Sequence, residues 1–158
     1  MSSITIEPTP PTRLPHYAAA APAVLKAMLN LQQAVTDTGL EPSMVELVKL
    51  RVSQINGCAF CIDMHFREAK AAGETEARLY LLDAWSETSL YTPRERAALR
   101  WAEVLTRLAN GHVSDADRTA AREVLGEAEL AELTLAIVAI NGWNRLNVGF
   151  GVAPRLGA

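Results

Sequence analysis

Several things are scarce in this 158-residue chain, and each scarcity closes off a class of function. Charge of one sign is missing: 15 Lys and Arg stand against 18 Asp and Glu, a formal net charge of −3. Such a balance offers no broad basic face to a phosphate backbone, so nucleic acid is not an expected partner. No apolar run approaches the roughly 20 residues needed to span a bilayer, so no membrane partner is expected. The Ala-rich stretch over residues 17–25 is weakly apolar and broken by Pro22, which does not suit a secretory signal, so a cytoplasmic location is expected. Strand-like alternation is absent throughout, which removes the thioredoxin fold as a host for any redox motif. Cysteine is limited to Cys58 and Cys61. Two thiols at that spacing in an intracellular chain point to redox or metal chemistry and not to a structural staple.

Five of the eight prolines fall within the first 22 residues, including the run EPTPPTRLP. Residues 1–16 are therefore expected to form an extended, Pro-rich arm, and residues 17–158 a single all-helical domain. Pro42 and Pro93 stand where helices begin. Apolar residues recur at helical spacing through residues 22–38, 42–55 and 58–72, each segment closed by Gly or Asn-Gly. Thr75 can cap a short helix to about Trp85, and Thr92-Pro-Arg-Glu95 reads as the capping box of a helix ending before Gly111. Ser114 opens another helix. The last starts near Glu127 and is apolar enough to be the central element of a bundle or part of a subunit interface. The expectation is an all-α bundle of six to seven helices.

On a helix over residues 58–72, Cys58, Cys61, Ile62, His65, Ala69 and Ala72 share an arc of about 100°, with Asp63, Arg67 and Lys70 opposite. Cysteines at i and i+3 have Cα atoms about 5–6 Å apart, inside the range a disulfide closes. At a helix start, free N–H groups and the positive end of the dipole favour a thiolate. His65, one turn after Cys61, can reach that sulfur directly or through one water.

Glu46 lies twelve positions before Cys58. On a continuous helix the two would be about 18 Å apart. A reversal at Asn56-Gly57 instead brings Glu46 and His65 to similar heights, about 15 and 12 Å from the turn. A carboxylate holding an imidazole beside a thiol is the arrangement of an activated nucleophile. Glu46 also stands three after Ser43, so a capping box is an equal reading of the same residue.

Glu46, Cys58-Ala-Phe-Cys61 and His65 match the E-x11-C-x2-C-x3-H signature, and the segment from about Leu40 to Gly73 resembles the alkylhydroperoxidase D-like branch of the carboxymuconolactone decarboxylase superfamily. The resemblance implies an all-α fold, homotrimers or hexamers, and peroxide reduction by the cysteine pair. It makes Cys61 the peroxidatic thiol, Cys58 the resolving thiol, and His65 with Glu46 the proton relay. An external dithiol, a lipoyl protein or a thioredoxin-like one, would restore the thiols, and no cofactor or metal is called for. Phe60 stands where some members carry a further histidine. The decarboxylase branch generally lacks the cysteine pair, so lactone chemistry is not implied.

Two other readings stay open. A metal site could draw on Cys58, Cys61 and His65 with Glu46, His16 or His112, although Cys58 and His65 lie about 10 Å apart along a helix. The chain could also be a non-catalytic redox sensor or helical interaction protein. Asn141, Asn144 and Asn147, with Trp143 among them, either line a pocket or tie helices together by hydrogen bonds. Arg145 is a candidate to pair with a carboxylate at a subunit contact.

Overall fold

The computed structural model describes residues 14 and 16–154, apart from the side chain of Asn110. The arm expected over residues 1–16 lies outside the described residues except for Leu14 and His16. The elements are α1 (Tyr17–Ala20), α2 (Pro22–Thr36), α3 (Pro42–Ile55), α4 (Ala59–Ala71), α5 (Glu76–Tyr80), α6 (Pro93–Thr106), α7 (Asp115–Leu125) and α8 (Glu127–Gly149). Short 3-10 turns lie at Leu82–Glu87 and Leu108–Asn110, and no strand occurs among the described residues. Seven of these helices have five or more residues, and α1 is a single turn set off by Ala21. No helix is long and apolar enough to cross a membrane among the described residues.

The starts follow the sequence closely. Thr92 and Glu95 form the capping box of α6, and Ser114 with Asp117 forms that of α7. Each box satisfies backbone donors that the first turn leaves without helical acceptors. The stops differ more. Thr38 turns its hydroxyl back onto the Val35 carbonyl (2.7 Å), ending α2 at Thr36 instead of 38. The helix expected from Thr75 to Trp85 breaks after Tyr80 into the 3-10 turn, whose three-residue period buries Leu82 and Trp85 together.

The most enclosed helix is α3, not α8. Eight of the fourteen α3 residues are buried, and it packs against α4, α6 and α8. In α8, seven of 23 residues are buried, while Val138 and Val148 stay exposed. Leu47, Val48, Leu50 and Val52 form the centre of the core with Leu99, Leu133 and Ile137. Truncating Leu47 to Ala there costs about 2–5 kcal/mol through lost transfer energy and the cavity left behind.

The α3–α4 turn places the site. Gly57 adopts φ 64°, the left-handed region that a Cβ disfavours. Its N–H donates to the Gln54 carbonyl and that of Cys58 to the Ser53 carbonyl, closing α3 with a paired C-terminal cap. The chain then reverses, and α4 runs back along α3.

Candidate active site

Reversal at Gly57 makes Cys58 the N-cap of α4. Its sulfur accepts a hydrogen bond from the Cys61 N–H (3.4 Å) and lies 2.8 Å from the Cys61 sulfur. Both cysteines are free thiols and both are buried. Four residues of the expected arc, Cys58, Cys61, His65 and Ala69, face inward. Ala72 does not: it is the C-cap of α4 and exposed, because the helix ends before it reaches the core again.

Glu46 is a partner of His65 and not a cap. Its Oε2 lies 2.9 Å from His65 Nδ1 and its Oε1 2.8 Å from Lys49 Nζ. Ser43 donates to Glu41 instead (2.7 Å), so the capping-box reading of Glu46 fails. Burial pushes the Glu46 carboxyl up, but the hydrogen bond to His65 and the Lys49 ammonium win and hold it below its ordinary range. Burial likewise disfavours a charged His65, and the hydrogen bonds to Glu46 and Glu68 overcome this and raise it above its ordinary value. The buried Nε2 of His65 has no hydrogen-bond partner among the described residues. Of the two expected routes to Cys61, a direct hydrogen bond from Nε2 to the sulfur is not made among the described residues, and the charge on the ring helps to lower the Cys61 thiol.

The thiols are pushed apart in acidity. Cys61 is lowered to about 6, first by the hydrogen bond from Cys58, then by Asn147 and Asn144 and by the charge on His65, against burial. Cys58 moves the opposite way because it is the donor to Cys61 and is buried. Asn147 Nδ2 donates to the Cys61 sulfur at 3.3 Å. That contact joins residues 86 apart and is the feature of the site that sequence reasoning missed. The three-residue spacing of the asparagines signalled one face of α8, but nothing in it said that the face meets sulfur.

The same face does tie helices together. Asn56, in the turn, donates to Asn141 (3.0 Å) and Asn144 (2.9 Å), and Asn144 donates to Ser53 (3.1 Å). The turn that presents Cys58 and Cys61 is thus latched to α8. Within the chain, Arg145 bonds the Asn141 carbonyl and side chain.

Cys61 and His65 line a cavity of about 690 Å³, with Phe60, Met64, Trp143 and Tyr17 among its walls. Tyr17 is stacked on Phe150, ring centroids 4.9 Å apart, so the start of the described chain closes one side of the cavity. His16 also lines it, whereas His112 is exposed in the loop before α7. Ligand-capable atoms of Glu46, His65 and Glu68 fall within 4.8 Å of one another. This is not the Cys58–Cys61–His65 set weighed from the sequence, and neither sulfur belongs to it.

A family model for the carboxymuconolactone decarboxylase family matches residues 22–104. The chain is 41% identical over 135 residues to the uncharacterised protein YdfG of Bacillus subtilis, covering 85% of this chain and 92% of that one. It is 40% identical over 57 residues to the alkyl hydroperoxide reductase AhpD of a Bradyrhizobium species, 36% of this chain and 31% of that one. A crystal structure of a protein of unknown function from Agrobacterium tumefaciens, a candidate antioxidant defence protein of the AhpD type, superposes with a TM-score of 0.89. It shares 39% identity and covers 92% of this chain and 99% of that one. The chain with this helical hairpin, cysteine pair and paired imidazole therefore belongs to the carboxymuconolactone decarboxylase family, as an alkylhydroperoxidase D-like member.

Proposed function

We propose that this protein is a thiol peroxidase in which Cys61 is the nucleophile, Cys58 the resolving thiol, and Glu46 with His65 the proton relay. The observation that carries the reading is the Cys61 sulfur itself: hydrogen-bonded by Cys58 and Asn147, lowered to about 6, and set in the wall of a cavity. At neutral pH such a sulfur is a thiolate, the nucleophilic form.

In the first half of the cycle, His65 takes the Cys61 proton through one water, with the resulting imidazolium held by the Glu46 carboxylate. The thiolate attacks one oxygen of the peroxide, the O–O bond breaks, and the departing oxygen leaves as an alcohol or water by taking the proton from His65. Cys61 becomes a sulfenic acid, oxidised by the two electrons the peroxide gains. The Cys58 thiol then attacks the Cys61 sulfur, expels water and leaves a disulfide. An external dithiol, a lipoyl or thioredoxin-like protein, attacks that disulfide and carries away its oxidising equivalents, restoring both thiols. Such a pair suits the reducing cytoplasm, where a disulfide persists only transiently. Assembly into homotrimers or hexamers belongs to the same reading, supported by the exposed Leu29, Val138 and Val148 on α2 and α8.

Peroxide consumption by the purified protein, with dihydrolipoamide or reduced thioredoxin as donor, tests the reading. Sustained turnover with either donor is expected. A single stoichiometric oxidation that stops at the disulfide with both donors would make the protein a redox sensor.

A further inference from the structure

The signature of the cysteine hairpin contains one carboxylate, Glu46, yet His65 Nδ1 faces two. Glu68 Oε2 lies 3.2 Å from the same nitrogen that Glu46 Oε2 approaches at 2.9 Å. Glu68 follows His65 by three residues on α4, so both side chains leave the same face of the helix. It also lines the cavity onto which Cys61 opens.

The two carboxylates differ in setting. Both oxygens of Glu46 are engaged, one by Lys49 and one by His65, and its side chain is mostly buried. The Glu68 side chain is 54% exposed. One N–H cannot give a full hydrogen bond to each of two acceptors. Two negative groups within 4.8 Å of each other and of one ring nitrogen favour a positive charge on the ring, since the Lys49 ammonium offsets only one of them. The titratable and charged groups around this ring are Glu46 and Lys49 from α3, and Cys61 and Glu68 from α4. His16 and Tyr17 line the shared cavity from the N-terminal side, while α8 presents Asn147 and Trp143, which do not titrate there. Lys49 opposes the imidazolium but is itself paired to Glu46, so Glu68 contributes the second negative charge on this nitrogen.

We propose that Glu68 is a positioning residue that acts through His65: from the cavity side it holds the imidazole in its charged form, so that a proton is ready on the ring when the peroxide bond breaks. This deepens the peroxidase reading and rests on it for its chemistry, but the state of the ring is observable without peroxide. Glu68→Gln keeps an oxygen that can accept from Nδ1 and removes the charge. Glu68→Asp keeps the charge.

The test is the titration of His65 in the reduced full-length protein, followed by NMR of labelled imidazole and assigned with His16→Asn and His112→Asn. In Glu68→Gln the His65 midpoint is expected to move to lower pH, with the melting temperature unchanged at pH values above the His65 midpoint, where the ring is neutral in both proteins, and Glu68→Asp to restore the midpoint at least in part. Where the protein turns over peroxide, the alkaline limb of its rate profile is expected to move the same way. An unmoved His65 midpoint in Glu68→Gln would overturn the proposal. So would a shift that comes with a lower melting temperature above the His65 midpoint as well and is not reversed by Glu68→Asp, since that marks Glu68 as structural. A moved midpoint in a protein without peroxidase turnover would leave the role of Glu68 standing and remove the activity.

Discussion

Helix α3 carries two buried ionic clusters, and they are built on opposite principles. Toward its C-terminal half, Arg51 is 4% exposed and saturated: its guanidinium reaches Glu103 at 2.7 and 2.6 Å and also bonds Asp83. Glu103 in turn accepts from the indole N–H of Trp85 (2.9 Å). Burial pushes the Glu103 carboxyl up, and Trp85 and Arg51 more than reverse it. Toward its N-terminal half, Glu46 holds His65, whose other nitrogen is buried without a partner among the described residues, next to a cavity that reaches Cys61. A buried charge with all three of its nitrogens engaged fixes the packing of α3 against α6 and the 3-10 turn. A buried ring with one valence open is prepared for a proton that comes and goes. On the proposed reading, the difference separates structural from chemical polar groups on one helix.

Substitutions on the two sides should therefore fail in different measurements. The largest effect is at the sulfur: Cys61→Ser should lower steady-state peroxide consumption by roughly 10³-fold or more, while its fold, read by circular dichroism, is unchanged. Glu46→Gln comes next. It removes the anchor of the imidazolium and should lower kcat/KM for peroxide by about 10²-fold, within the span of acid–base catalysis. Arg51→Met should do the reverse. It leaves the half-buried Glu103 with only Arg107 and the Trp85 indole and should cost about 1–3 kcal/mol in urea unfolding, with the pH profile of the folded protein unaltered. Should Arg51→Met move that profile, the division between the clusters would be wrong.

Smaller effects sharpen the contrast. Thiolate absorbance should titrate with a midpoint of about 6 for Cys61. Asn147→Ala removes a donor to the charged sulfur, so this midpoint should rise. The Glu46–His65 pair also has a signature in stability. Glu46 is lowered, so its contribution is present above its ordinary value of 4.5 and lost as pH falls. His65 is raised, so its contribution is present below its ordinary value of 6.5 and lost as pH climbs through the raised one. The stability deficit of Glu46→Gln should therefore be greatest between about pH 4.5 and 6.5 and shrink on both sides. A deficit independent of pH would mean that Glu46 contributes by packing alone.

Much of this was legible in the amino-acid order, because the signals are local. Gly57 after Asn56 marked the reversal, Thr92 with Glu95 and Ser114 marked helix starts, and the steps of three and then four residues from Cys58 put the thiols and His65 on one face. The facing of Glu46 and His65 followed from the reversal, since equal distances from a turn meet across a hairpin. What stayed hidden depends on contacts between distant segments. Asn147 reaches Cys61 only because α8 is latched over the turn by Asn56, and nothing near either residue encodes that crossing. The burial of Arg51 and the 3-10 winding at Trp85 are one event: the arginine needs Glu103, and Glu103 holds the indole. Glu68 carried no signal in the sequence, since it stands outside the cysteine signature and its contact with His65 shows only in the folded hairpin.

The central claim is that Cys61, and not Cys58, is the sulfur that meets the oxidant. Its most direct test uses Cys58→Ser and Cys61→Ser separately, each given one equivalent of an organic hydroperoxide at neutral pH with a sulfenic-acid trap, then read by peptide mass spectrometry. Rapid capture of one oxygen on Cys61 in Cys58→Ser, with Cys61→Ser left unoxidised over the same interval, is the predicted result. Equal or faster oxidation of Cys58 in Cys61→Ser would contradict it.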